Sequence, residues 1–287
     1  MTTAATSPGS AFTTSWKNAP TRAINAGGVE FAYRQLGPDT GVPVVFLTHL
    51  AGVLDNWDPR VVDGIAAKHR VITFDNRGVG ASSGSTPTSI EEMASDAVTF
   101  IRALGLDQVD LFGFSMGGMI AQVIAQQEPQ LVRKLILAGT GPAGGEGIDK
   151  VTRITYLDTA RGLLTRQDPK QYLFFTRTPN GRAAGKEFLS RLKERTNDRD
   201  KAISLGSFRA QLKAIHRWGQ QTPADLASIH QPALIINGES DKMVPSQNTV
   251  ELDRRLPNSQ LVLYPDAGHG GVFQFHEDFV KRALEFL

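Results

Sequence analysis

The chain has 287 residues, with 31 Lys+Arg against 29 Asp+Glu, 40 % hydrophobic and 21 % charged residues, and no cysteine. A net charge of +2 gives no bulk attraction for polyanions, so nucleic acid is not an expected partner. The absence of sulfhydryls excludes disulfides, thiolate zinc sites, iron–sulfur clusters and a cysteine nucleophile, which leaves covalent chemistry to oxygen and nitrogen.

At roughly 150 residues per domain the length fits either two cores or one core carrying a large insertion. Residues 1–27 open on MTTAATSPGSAFTTSWKNAP, which is rich in Thr, Ala and Ser and has neither a basic start nor a long apolar run. A flexible arm is expected there, not a secretory leader. No window approaches the roughly 18 apolar residues of a membrane span, so a soluble, cytoplasmic protein with no membrane partner is expected.

From Val29 onward short apolar runs alternate with longer amphipathic segments, the pattern of a mostly parallel sheet with helices on both faces. The expected strands are Val44–Thr48, Arg70–Asp75, Val109–Phe114, Lys134–Ala138, Ala233–Asn237 and Gln260–Tyr264. Apolar residues three and four apart predict helices over Ser89–Leu104, Met116–Gln127, Ser246–Leu256 and Phe273–Leu287. Ligands in such α/β folds sit beyond the carboxyl ends of the strands.

Residues 141–230 break this rhythm, because a crossover needs only about 10 to 12 residues. Tyr156, Leu157, Leu163 and Leu164, then Tyr172–Phe175, then Phe188, Leu189 and Leu192 repeat at helical spacing and predict a helical cap. The expected organisation is therefore one core, 28–140 and 231–287, interrupted by a lid at 141–230.

The strongest chemical signal is Gly113-Phe114-Ser115-Met116-Gly117, directly after an apolar strand and directly before a helix. A G-x-S-x-G in that context is a nucleophile elbow: a sharp turn exposes the hydroxyl at a helix amino end, where N–H groups favour negative charge. A chance match in a loop is the bland alternative, and the flanking strand and helix argue against it. Serine needs a base, and the base needs an orienting group. Of six histidines, only His269, in Asp266-Ala267-Gly268-His269-Gly270, follows the last strand in a Gly-bounded loop. His49 is a weaker candidate base, and His69, His216, His230 and His276 read as surface or packing residues. Asp241, in Gly238-Glu239-Ser240-Asp241 after a strand, is the expected acid, with Glu239 close enough to compete. The chain order Ser, Asp, His is the one that accompanies this elbow.

On these residues the chain resembles the α/β-hydrolase superfamily from about Val29 to Leu287. Asp75-Asn76-Arg77-Gly78-Val79-Gly80-Ala81-Ser82 is similar to that family's D-x-R-G-x-G-x-S loop, with Arg77 read as bonding the backbone of its turn. Many relatives carry His-Gly after the strand at 44–48, where this chain has His49-Leu50. The resemblance implies an oxyanion hole made by the N–H groups of Leu50 and Met116, since the donor is backbone. Leu50-Ala51-Gly52 and Leu54–Asp58 are similar to a segment of 3-oxoadipate enol-lactonases and their esterase relatives. His49, Trp57, Phe174, Phe175 and Trp218 are candidates for lining the substrate pocket.

The expected activity is hydrolysis of a carboxylic ester or lactone through an acyl-enzyme on Ser115, without metal or cofactor. A haloperoxidase or perhydrolase with the same triad is the nearest alternative. A C–C bond hydrolase would usually carry a fuller Gly-rich oxyanion loop. A ligand-binding receptor that retains the triad is an alternative of another class. Residues 150–220 hold 16 Lys+Arg and 6 Asp+Glu. That surplus is either the solvated side of a cap facing an acidic core or a lid that draws in anionic substrates. Oligomeric state is not legible.

Overall fold

Strands of a parallel sheet are covered on both faces, so their sequences read as uninterrupted apolar runs. β3 (Val44–Leu47) is buried at every position. In the computed structural model, which describes residues 15–287, it is joined in one sheet by β1 (Arg22–Ala26), β2 (Val29–Leu36), β4 (Val71–Phe74), β5 (Val109–Phe114), β6 (Val132–Ala138), β7 (Ala233–Gly238) and β8 (Ser259–Tyr264). The order is β1-β2-β4-β3-β5-β6-β7-β8. The β1/β2 and β2/β4 pairs are antiparallel, and the pairs from β4 through β8 are parallel.

Alternation along the strands divides the core into two layers. Val45 and Leu47 share one with α2 (Ile90–Ala103) and α3 (Met116–Gln127). Val44 and Phe46 share the other with α1 (Pro59–Ala66) and α10 (His276–Phe286). Helix starts follow capping chemistry. Ser89 accepts from Glu92 N–H at the start of α2, and Asp58 accepts from Arg60 N–H before Pro59 at the start of α1, each satisfying an otherwise unpaired donor.

Expected strands and helices appear within one or two residues of their bounds, with one exception at the C-terminal helix. There Phe275, at φ −107° and ψ 39°, divides α9 (Gly271–Gln274) from α10. The expectation of a flexible arm over 1–27 is corrected from residue 15 onward, because Trp16 is buried and Arg22–Ala26 pair as β1; residues 1–14 lie outside the described residues.

Between β6 and β7 the chain leaves the sheet for α4 (Val151–Thr165), α5 (Lys170–Phe174), α6 (Pro179–Arg191) and α7 (Leu205–Gln220). The apolar face expected on the first of these helices points outward instead. Its buried positions are Val151, Thr155, Asp158 and Gly162, while Tyr156, Leu157, Leu163 and Leu164 are exposed by 47, 57, 76 and 86 %.

Part of the insert's basic surplus, Arg191, Arg195 and Arg199, is spent against the core. Arg191 bonds both oxygens of buried Asp58, its closest contact being Nη2 to Oδ2 at 2.7 Å. Arg199 Nε lies 3.2 Å from Asp55 Oδ2, and Arg34 Nη1 lies 2.7 Å from Asp55 Oδ1. Arg195 donates to the carbonyls of Trp16, Lys17 and Ala19. Arg77 is structural, as expected, but its partner is Asp96 on α2 at 2.7 Å and not the turn backbone.

Candidate active site

The parallel strands deliver four loops to one edge of the sheet, from β3, β5, β7 and β8. Ser115 sits between β5 and α3 at φ 57° and ψ −117°, a conformation that side chains rarely adopt and that is retained where surroundings enforce it. Its N–H is tied to Ala138 O at 2.8 Å. A Cβ on Gly113 would stand 2.4 Å from Gly117 O, and one on Gly117 would stand 1.8 Å from Leu47 O. Neither position can hold any other residue without moving β3, β5 or α3.

His269, after β8, meets Asp241, after β7: imidazole Nδ1 lies 2.7 Å from Asp241 Oδ2, and both side chains are buried. Asp241 Oδ1 accepts from the N–H groups of Met243 at 2.8 Å and Val244 at 3.1 Å. Three donors thus converge on this one carboxylate and fix its orientation. Glu239, the competing acid, is exposed and is held only through its N–H, which donates to Tyr264 O.

Ser115 and His269 line one small cavity of about 30 Å³ together with His49, Leu50, Met119, Val151, Ile215 and Met243. The Met116 and Leu50 N–H groups have no acceptor among the described residues. A larger cavity of about 430 Å³ adjoins it, and His49, Leu50, Leu173 and Phe174 line both. The larger cavity is walled by Asp55, Asn56, Thr155, Asp168, Lys170 and Arg199 among others. Its two cations are committed, Lys170 to Asp168 and Arg199 to Asp55. Asp200 lies at its wall, hydrogen-bonded to Asp75, and Leu54 N–H donates to both carboxyls, at 2.9 Å to Asp75 and 3.2 Å to Asp200. Burial and the adjacent Asp200 hold the Asp75 carboxyl well above the usual carboxylate range.

Of the five side chains expected in the pocket, His49 and Phe174 line both cavities. His49 is buried, its Nδ1 2.7 Å from Leu50 O and its Nε2 without a partner. Burial lowers its pKa to about 3, so it is a neutral ring that donates from Nδ1. Trp57 is a correction: it is 1 % exposed and packs edge-on to Phe46 beneath the sheet, where an apolar ring gains most. Trp218 is another, since it is 3 % exposed with Nε1 bonded to Gly141 O at 3.2 Å, and its neighbour Ile215 reaches the chamber instead. Phe175 stacks in the core near Phe188 and lines neither cavity.

Sequence reasoning missed Met119 and Met243 of the core and Val151, Ile215 and Gln211 of the insert. Gln211 Oε1 accepts from Ala51 N–H at 2.8 Å, and Phe174 O accepts from Gly270 N–H at 2.7 Å. A helix with an inward polar residue is the only signal that could have pointed to Gln211. Among the described residues no group of three or more His, Asp or Glu is arranged to hold a metal ion, and no helix is long and apolar enough to cross a membrane.

Comparison with known proteins agrees with this geometry at the level of the fold. A solved alpha/beta hydrolase fold protein from Chitinophaga pinensis is 39 % identical, covers 95 % of this chain and 98 % of its own, and superposes with a TM-score of 0.90. A Mycobacterium tuberculosis protein named as a non-heme bromoperoxidase is 29 % identical over 90 % of this chain and 98 % of its own length. An Agrobacterium fabrum protein named as a carbamate hydrolase is 26 % identical over 87 % of this chain and 94 % of its own. The model of the alpha/beta hydrolase fold family matches residues 42–275, which takes in all four functional loops, and the chain belongs to that family.

Proposed function

We propose that the protein is a serine hydrolase that cleaves a carboxylic ester or lactone through an acyl-enzyme on Ser115. The observation that carries this reading is the buried His269–Asp241 pair at 2.7 Å, of which His269 lines one cavity with a strained Ser115. His269, held by Asp241 through Nδ1, takes the Ser115 proton as the oxygen attacks the carbonyl carbon. Asp241 stabilises the imidazolium that forms. The carbonyl oxygen becomes an oxyanion bonded by Met116 and Leu50 N–H, and the loss of one such donor typically costs on the order of 100-fold or more in rate. Collapse expels the alcohol with the proton from His269. Water, deprotonated by the same ring, then releases the acid and restores Ser115.

The cavities bias the substrate toward a short acyl group on a larger alcohol or aryl group. One water needs about 10–15 Å³, so the chamber of about 30 Å³ admits two or three heavy atoms. The adjoining cavity of about 430 Å³ takes the remainder. A free carboxylate on the substrate gains little there, because Lys170 and Arg199 already face acids.

Labelling with a fluorophosphonate, followed by peptide mapping, tests the assignment together with turnover of p-nitrophenyl acetate. Label on Ser115 and loss of turnover in Ser115→Ala are expected; label elsewhere sinks the reading. Binding without turnover by the wild type would favour a triad-retaining receptor. The relative named as a bromoperoxidase supports a second reading, in which peroxide replaces water at the acyl-enzyme. Bromination that requires peroxide, bromide and an added short carboxylic acid would mark it.

A further inference from the structure

The loop carrying the Leu50 N–H is held in place by the insert. The peptide unit between Leu50 and Ala51 is planar, so bonds to its two polar edges fix its rotation. Its carbonyl accepts from His49 Nδ1–H at 2.7 Å, and its N–H donates to Gln211 Oε1 at 2.8 Å. The preceding peptide is fixed as well, since His49 O accepts from Gly52 N–H at 3.0 Å. Ala51 stands at φ 61°, the left-handed region that a residue with a Cβ occupies only when its surroundings demand it.

We propose that Gln211, on α7 of the insert, is a positioning residue for the oxyanion hole: by gripping Ala51 N–H it holds the Leu50–Ala51 peptide in the turn that aims Leu50 N–H at the Ser115 chamber. Catalytic competence is thereby tied to the seating of the insert on the core. The inference rests on the hydrolase reading above, in which Leu50 N–H meets the oxyanion.

Three features favour a positioning role over simple packing. Gln211 is fully buried, yet its Nε2 has no partner, so an apolar side chain of the same length would pack there at lower desolvation cost. Its partner is the N–H of Ala51, whose positive φ is a conformation that needs support from its surroundings. The insert holds the second functional loop in the same manner, through Phe174 O and Gly270 N–H next to His269. Both attachments place insert atoms on loops that carry chemistry, and neither bonding atom, Gln211 Oε1 or Phe174 O, needs to touch substrate.

The test compares Gln211→Met, Gln211→Glu and Gln211→Met combined with Ala51→Gly, each assayed for kcat, KM, fluorophosphonate inactivation rate and Tm. Met removes the acceptor at constant length. Its kcat and its inactivation rate should fall together by about 10- to 100-fold, short of complete loss of a donor, with KM within about 2-fold. Adding Gly at 51 removes the penalty for positive φ and should recover about 5-fold in kcat. Glu keeps an oxygen for Ala51 N–H and loses only the unpartnered Nε2, so it should stay within about 3-fold of wild type.

A Met variant with unchanged kcat, or with KM alone altered, overturns the proposal. So does a Glu variant that loses more than tenfold in kcat, a measurement that stands even if the Met variant fails to fold. Failure of the hydrolase reading itself is separate: it would appear as Ser115→Ala retaining full turnover.

Discussion

The cavity pair makes a quantitative prediction about acyl length. In p-nitrophenyl esters the aryl ring is too large for the chamber of about 30 Å³ and must lie in the one of about 430 Å³, which forces the acyl chain toward Met119, Val151, Ile215 and Met243. Acetyl and propionyl carbons fit within the two or three heavy atoms that such a volume admits, at about 10–15 Å³ per water-sized probe. Each longer chain overpacks the chamber, and inserted methylenes cost about 1–3 kcal/mol in a packed interior. At about 1.4 kcal/mol per decade, kcat/KM should fall by about 5- to 150-fold between propionate and hexanoate.

Ile215→Ala removes three carbons from the wall and should carry the decline about two to three carbons further along the series, while costing stability of about 2–5 kcal/mol. Initial rates on acetate through octanoate esters, for both proteins and with Tm recorded, provide the assay. A wild-type profile that is flat or rises to octanoate, or an Ile215→Ala profile superimposable on it, would refute the assignment of the chamber.

Asp241→Asn should lower kcat by roughly 10⁴-fold while His269 stays in place, because the amide leaves the imidazole in the wrong tautomer; a loss under tenfold would assign the orienting role elsewhere. Arg191→Leu leaves Asp58 buried and unpaired, so stability should drop by about 3–5 kcal/mol and Tm by about 6–20 °C; a smaller change in thermal melts would show that the seam relaxes around the charge. The Asp75 carboxyl lies above its ordinary value of 3.8, so folding takes up a proton. The stability it confers is complete below about pH 4 and is lost as pH rises toward the folded value. Asp200→Asn, whose amide can donate to Asp75 without a shared proton, should flatten the decline of Tm as pH rises above the ordinary carboxylate range; parallel curves for the two proteins would exclude the pair as its source. With Lys170 and Arg199 already paired, acidic and neutral short-chain esters should respond alike to ionic strength, and a KM that rises with salt only for the acidic ester would restore the basic-lid idea.

The candidate site is legible in the sequence because the backbone has few ways to make it. Ser115, Asp241 and His269 each follow a strand and stand among glycines that the close approaches at 113, 117, 238 and 268 require. β2 is harder to see, because buried Arg34 and Gln35 interrupt its apolar pattern; their partners, Asp55 and Arg70, lie 21 and 35 residues away. The start of α1 carried a readable signal, Asp58-Pro59, that apolar periodicity overlooked. α4 misleads in the opposite sense, since Thr155 and Asp158 face inward while Leu163 and Leu164 face out. Gln211 meets Ala51 across 160 residues of chain, and no local pattern encodes such a meeting. The basic insert and acidic core were visible as a charge imbalance; that they spend it on each other emerges only where Arg191 reaches Asp58.

The crowding beneath the elbow also bears on how this chain could change over generations. The Ser115 oxygen is located by main-chain exclusion, with Leu47 O 1.8 Å from where a Gly117 methyl would stand, whereas the chamber beside it is walled by side chains on α3 and the insert, such as Met119 and Ile215. On the proposed hydrolase reading, drift at 119 or 215 would redirect the protein to new substrates while leaving its reaction intact, and drift at 117, by moving β3 or α3, would disable the reaction on every substrate at once. A mutational library confined to the chamber wall explores specificity with little risk to chemistry, and one that includes residues 113–118 samples mostly dead proteins.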